Sequence, residues 1–331
     1  MPSGPGQPGP TEATRMARDL SLDNRPIGNL FPPMTAAEAQ NRFALGATDI
    51  ADYREYGYVA GGRVLDHGQI AALQAEIERI ADPDHDGREL WYEYRANASY
   101  EKDRRLLHAV GGWRVSPVLH DLLWHPAITV PLAQLVGGPI RLLHDQVFYK
   151  PAGSGGRVSW HQDYSYWTFT QPMAHASCWV ALDDTTLENG CLHYVPASHL
   201  WGLLPITGLT GEGAGIESAL DETRRRDFRP VPVEVKAGHA VFHHPLMIHG
   251  SGPNTSARPR RGIVVNVMAD GTRAAEDLPD VDGVPAWLLG RTEDELAWPV
   301  GGAPRGGRLA GRFWPRLDGL SLSGRHAVGT R

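Results

Sequence analysis

A chain of 331 residues with 41% hydrophobic and 21% charged side chains has the make-up of a soluble globular protein, long enough to bury one large core or two modest ones. Its 38 acidic and 32 basic residues leave a net charge of −6 with no long basic block, which argues against a nucleic-acid partner, and no apolar run approaches the roughly 18 residues that would span a bilayer. Two cysteines, Cys178 and Cys191, cannot frame a disulfide scaffold, and the first residues lack the basic-then-apolar pattern of a secretory leader, so the expected setting is a reducing cytoplasm.

Residues 1–33 are rich in Pro, Gly and Ser and carry no hydrophobic period; they are expected to stay flexible, ahead of one domain over 34–331. Thr35 followed by Glu38 has capping-box spacing and opens a short helix through Phe43. Asp66 stands ahead of Ile70, Leu73, Ile77 and Ile80, a stripe at helical spacing closed by Pro83. The run Trp91-Tyr92-Glu93-Tyr94 reads as rim packing or pocket lining. Ser116-Pro117 starts a helix with proline at its first position, and another ends at Gly137-Gly138. From residue 139 the texture changes to short β-rich runs between Gly, Pro and Asn turns, the pattern of a sandwich or barrel. Strands are expected over 140–149, 159–163, 177–182, 192–195, 231–235, 240–243 and 263–268. Two long loops, 151–158 and 203–229, are places for substrate selection. The densest basic run, Arg224-Arg225-Arg226, reads as a solvated face, and the tail after Ala269 is expected to wrap the outside. There is no internal repeat.

The chemistry concentrates in Trp160-His161-Gln162-Asp163-Tyr164. In an extended strand, side chains two apart share a face, so His161 and Asp163 converge while Trp160 and Gln162 take the other side. One further imidazole would complete the two-His, one-carboxylate triad that holds non-haem Fe(II) and leaves positions open. His239, His243, His244 and His249 all compete for that place. His249 ranks first, because it precedes the turn Gly250-Ser251-Gly252, with His243 next and His244 third; a core His satisfied by backbone is the plainer reading of the others. The stretch 250–259 reads as a hairpin loop that sets His249 beside Arg260. A guanidinium there suits the far carboxylate of a dicarboxylic keto acid through a planar, charge-assisted contact, although Arg260 also sits among Arg258 and Arg261 as a surface run would. Tyr164, Tyr166, Trp167 and Phe169 follow the candidate ligands and read equally as a substrate wall or as core packing.

Together, 160–167 (WHQDYSYW), 188–199 (ENGCLHYVPASH) and 249–261 (HGSGPNTSARPRR) resemble the phytanoyl-CoA dioxygenase family of Fe(II)- and 2-oxoglutarate-dependent oxygenases, and 53–60 (YREYGYVA) resembles its opening element. The resemblance runs from about residue 49 to 270. It implies a double-stranded β-helix, a mainly β jelly-roll barrel with flanking helices and the active site at its open end. By motif position it implies His161, Asp163 and His249 as iron ligands and Arg260 as the 2-oxoglutarate anchor, with Trp179, Ser251, Gln146 and Lys150 bordering the co-substrate. Cys191 and Ala197 stand where the family often has proline and glycine. The implied activity is a dioxygenase that uses Fe(II), 2-oxoglutarate and O2 to hydroxylate a small metabolite or natural product. Halogenation is disfavoured because Asp163 is present, where a halide would need a small residue. Desaturation, epoxidation or ring closure use the same ligands, and a non-catalytic binding barrel or a zinc hydrolase are rivals that leave Arg260 unexplained. The substrate and the oligomeric state are not readable from the residues.

Overall fold

The computed structural model describes residues 17–205, 215–276 and 306–317. Four of its described α-helices begin where an N-cap side chain accepts one of the first backbone N–H groups. In α1 (Ala36–Phe43), Thr35 and Glu38 form the reciprocal capping box that their spacing demands. A second helix, α2 (Ala47–Tyr56), ends at Gly57, whose φ of 85° and close approach to His199 Nδ1 leave no room for a Cβ. Asp66 caps α3 (His67–Ile80), which buries Ile70, Leu73, Ile77 and Ile80 on one face. Then come α4 (Pro117–Leu122) and α5 (Pro126–Val136), both with proline in the first turn, and later α6 (Glu222–Asp227).

The strands are β1 (Tyr58–Arg63), β2 (Glu93–Arg95), β3 (Leu107–Val110), β4 (Ile140–Lys150), β5 (Val158–His161), β6 (Thr170–Gln171), β7 (His175–Ala181), β8 (Leu192–Tyr194), β9 (Val231–Val233), β10 (His239–His243), β11 (His249–Ser251), β12 (Arg260–Ala269) and β13 (Arg273–Ala274). Seven form one antiparallel sheet in the order β1-β10-β7-β12-β4-β3-β2, and four form a second, β5-β11-β8-β9. From β4 onward the chain passes repeatedly from one sheet to the other, which is the winding of a double-stranded β-helix. The period-two alternation sorts the large sheet's side chains. Val147, Val180, Phe242 and Val265 face outward onto the helices with Leu73, Ile77, Leu122 and Ile128, while Phe148, Trp179, Val241 and Val264 face inward onto Val158, Leu192 and Tyr194 of the small sheet. Among the described residues no helix is long and apolar enough to cross a membrane.

Several expectations need correcting. The stretch 250–259 is not a hairpin: β11 lies in the small sheet and β12 in the large one, so it is a crossover that caps the barrel end. Strand β5 stops at His161, and Asp163 opens a 3-10 turn, Asp163–Tyr166. The strand expected over 231–235 ends at Val233, because Val235 turns aside to exchange hydrogen bonds with Thr185. Residues 1–16 lie outside the described residues, but 17–33 are tied down: Leu20 and Phe31 are buried, and Asp121 accepts the backbone N–H groups of Ile27 and Gly28. The loop over 203–229 carries a 3-10 turn and α6, on which Arg225 and Arg226 are exposed as a solvated face requires, with Arg224 donating to Trp201 O and Arg225 to Leu220 O. In the tail, Leu309, Trp314 and Leu317 are buried, so this part packs as core against Trp167, Met268 and Ile140.

Candidate metal and co-substrate site

His161 closes β5, and its cross-strand partner on β11 is His249, with ring centroids 4.2 Å apart. His161 Nδ1 lies 2.8 Å from Ser159 O, and His249 Nδ1 lies 3.0 Å from Met247 O. A carbonyl can only accept, so each Nδ1 carries the proton and each Nε2 turns a lone pair inward. Gln162 is still extended (φ −110°, ψ 131°), which keeps Asp163 on the side of His161 although the strand has ended. Asp163 Oδ1 is 3.4 Å from His161 Nε2 and 3.7 Å from His249 Nε2, and one donor atom from each of the three residues falls within 4.8 Å of the others. Burial alone would raise the Asp163 carboxyl, but the imidazoles around it, His249 first and then His161 and His243, hold it well below the usual carboxylate range.

Arg260 is the first residue of β12 and is only 1% exposed, its guanidinium carbon 4.5 Å from the Trp179 ring centroid and its Nε and Nη2 without partners. Lys150, its cross-strand neighbour, is fully buried and donates to Ser251 Oγ at 2.6 Å and to Gly252 O. Burial lowers Arg260 to about 10 and Lys150 well below its ordinary value. Among the described residues no carboxylate pairs with either group, so the desolvated guanidinium, with the buried amine beside it, makes a seat for an anion. The neighbours differ. Arg261 points to the opposite face and pairs with Asp183 (2.6 Å) and Glu78 (3.1 Å), and Arg258 is exposed.

The remaining candidates separate. Gln146 stands on the inward face of β4, level with Val264 and Val110. Tyr166 has its ring 6.1 Å from His161 and its buried hydroxyl without a partner. Tyr164 donates to Thr170 O at 2.6 Å, and Trp167 packs with Phe169, Leu309 and Trp314. Glu93 on β2, from the run 91–94 read as rim packing or pocket lining, completes the wall with residues that the sequence did not single out: His108 on β3, and His144 and Asn266, level with one another on β4 and β12. Glu93 Oε2, His108 Nε2 and Asn266 Oδ1 are buried without partners. Nothing local in the chain marks His108, because β3 is too short to show a period. His243 faces inward too, and Asp163 Oδ2 and the Tyr194 hydroxyl, not backbone, satisfy its nitrogens.

Two neutral imidazole nitrogens and a carboxylate oxygen suit Fe(II), and an unpartnered buried guanidinium suits the far end of a dicarboxylate, so the residues present fit both groups. The family model "Phytanoyl-CoA dioxygenase (PhyH)" matches residues 53–262. A "Probable phytanoyl-CoA dioxygenase" of Caenorhabditis elegans is 29% identical over 53% of this chain and 58% of its own length. The "Phytanoyl-CoA dioxygenase" of Arabidopsis thaliana is 34% identical over 41% and 47%. The chain thus spans about half the length of these curated relatives. Among solved structures, the non-heme alpha ketoglutarate dependent epimerase SnoN from nogalamycin biosynthesis superposes with a TM-score of 0.63 at 25% identity, over 82% of this chain and 97% of that one.

Proposed function

This chain belongs to the phytanoyl-CoA dioxygenase family, and from that premise we propose that it is an Fe(II)- and 2-oxoglutarate-dependent dioxygenase hydroxylating an unactivated C–H bond of a small metabolite or natural product. The observation that carries this reading is the convergence of His161 Nε2, His249 Nε2 and Asp163 Oδ1 within one barrel that also buries the unpaired Arg260. When bound, Fe(II) supplies the oxidising step: O2 and 2-oxoglutarate become succinate, CO2 and one hydroxyl oxygen on the substrate.

The chain's own residues bind, orient and exclude. His161, Asp163 and His249 hold the metal. Arg260 takes the far carboxylate of 2-oxoglutarate, with the Lys150 amine and the Ser251 hydroxyl hydrogen-bonded to one another beside it. Trp179 closes the flank of Arg260 against water, which strengthens the ion pair. Elsewhere on the inward wall, Glu93, His108, Asn266 and Tyr166 offer polar atoms that have no partner among the described residues. An unmet buried polar atom costs roughly 1–3 kcal/mol, so this wall favours a substrate that brings hydrogen-bonding groups over a bare hydrocarbon chain.

The test is oxygen uptake and succinate release by the purified protein with Fe(II), 2-oxoglutarate and a panel of polar metabolites. Succinate should appear only with all components and be absent from His161→Ala. A His161→Ala protein that keeps stoichiometric Fe(II) and full turnover would overturn the ligand assignment.

A further inference from the structure

Asp163 has two carboxylate oxygens, and only Oδ1 faces the two Nε2 lone pairs of His161 and His249. Resting on the metal reading above, we propose that His243, acting with Ser177, is a positioning residue that occupies the other oxygen and keeps Asp163 a one-oxygen ligand.

The two donors are set by strand register. His243 on β10 and Ser177 on β7 are cross-strand partners on the inward face, so their side chains stand side by side beneath Asp163. Ser177 Oγ donates to Asp163 Oδ2 at 2.8 Å, and His243 Nε2 lies 3.0 Å from the same oxygen. On the far side of the imidazole, Tyr194 Oη is 3.1 Å from His243 Nδ1. The carboxylate can only accept, so Nε2 carries the imidazole's proton and donates it to Oδ2, and the lone pair on Nδ1 accepts a hydrogen bond from the Tyr194 hydroxyl, which holds that tautomer. This is the opposite tautomer from His161 and His249, whose Nδ1 protons go to backbone carbonyls. The tautomer separates the two candidate ligands from the third histidine, although all three rings crowd one carboxylate. Tyr194 itself is fixed: it is fully buried, stacks on Tyr58 with centroids 4.6 Å and planes 9° apart, and pairs in register with His249. The chain Tyr194–His243–Asp163 therefore links both sheets through the metal site.

The consequence is a coordination count. An octahedral ion held by three protein atoms keeps three positions, two for a chelating 2-oxo acid and one for oxygen. A carboxylate that swung to bind through both oxygens would take one of them. Ser177 and His243 oppose that swing by engaging Oδ2 with two hydrogen bonds.

The experiment is anaerobic titration of Fe(II), then of 2-oxoglutarate, into full-length protein, reading affinity and the visible charge-transfer band of the ternary complex. His243→Phe keeps a ring but loses the donor. Outer partners of metal ligands typically contribute 10–100-fold to metal affinity, and His243→Phe should weaken Fe(II) by about that factor and shift the band. His243→Gln returns an N–H at similar reach and should recover Fe(II) affinity to within about threefold and restore the band, as expected where a hydrogen bond and not ring packing is at stake. Should His243→Phe fail to fold, Tyr194→Phe removes only the hydroxyl that sets the tautomer and should still weaken Fe(II) several-fold. Wild-type affinity and an unshifted band in His243→Phe or in Tyr194→Phe, or equal losses in His243→Gln and His243→Phe, would overturn the proposal. His161→Ala in the same series separates the two claims: if it retains Fe(II), the metal reading falls and this inference with it.

Discussion

At the scale of single residues, the site gathers polar side chains that burial leaves short of partners, and Arg260 is the clearest case. Its guanidinium is desolvated, rests on Trp179 and leaves two N–H-bearing nitrogens unpaired, so it is poised for a carboxylate. Breaking a buried charge pair from one side costs roughly 3–5 kcal/mol. At about 1.4 kcal/mol per tenfold, Arg260→Ala should weaken 2-oxoglutarate by on the order of a hundredfold or more while Fe(II) binding holds. Anaerobic 2-oxoglutarate titration of the iron complex reads this directly. Arg258→Ala, on an exposed loop residue, should change nothing, and near-normal affinity in Arg260→Ala beside a large loss in Arg258→Ala would move the anchor. The spacing of His161, Asp163, His249 and Arg260 was legible in the chain because those residues sit in short, distinctive motifs. His243 was not, since its role depends on facing Ser177 and Tyr194 across two strand pairings that only the fold creates. His108 and Asn266 were hidden for the same reason.

At the scale of elements, the helices that sequence marks best are those whose caps and stripes are local. The Thr35–Glu38 box and the Asp66-led stripe gave α1 and α3 their bounds, whereas α2 buries only Tyr53 and shows no stripe to read. The crossover after β11 was misread as a hairpin because its Gly-Ser-Gly-Pro start carries ordinary turn chemistry, and nothing local says that β12 pairs with β4 and β7 instead. That pairing is what matters for the co-substrate. It places Gly262 of β12 against the Trp179 indole so closely that an added Cβ would lie 2.5 Å from Cζ2 and 2.8 Å from Nε1. Gly262→Ala must push the indole off the flank of Arg260 or shift the strand. The expected result is a clear loss of 2-oxoglutarate affinity with Fe(II) affinity retained, in the same titration. An unchanged 2-oxoglutarate dissociation constant would show that Trp179 does not shape the co-substrate end.

At the scale of the whole molecule, the barrel is held by contacts between parts of the chain far apart in sequence. Asp19 gathers two of them: its carboxylate takes Arg114 Nη2 at 2.6 Å from the turn before α4 and Arg312 from the tail, beside the local Ser21 backbone N–H at 3.0 Å. Composition alone predicted flexibility for the segment that contains Asp19, because a low apolar content hides the few residues, Leu20 and Phe31, that dock. Burial by itself would raise the Asp19 carboxyl, but hydrogen bonds from Arg114 and Ser21 outweigh it and bring it below the ordinary 3.8. A carboxyl with a depressed folded pKa contributes stability that is complete above its unfolded value and is lost as the pH falls through the folded one. Asp19→Asn should therefore lower unfolding stability by roughly 1.5–3 kcal/mol at pH 7, the range of hydrogen bonds to charged groups. The gap from wild type should shrink as the buffer is acidified past the ordinary 3.8 and through the lowered folded value, where the native carboxyl too becomes neutral. Urea denaturation of both proteins across that range tests it, and a gap that stays constant with pH would mean that the clamp works by packing and not by charge.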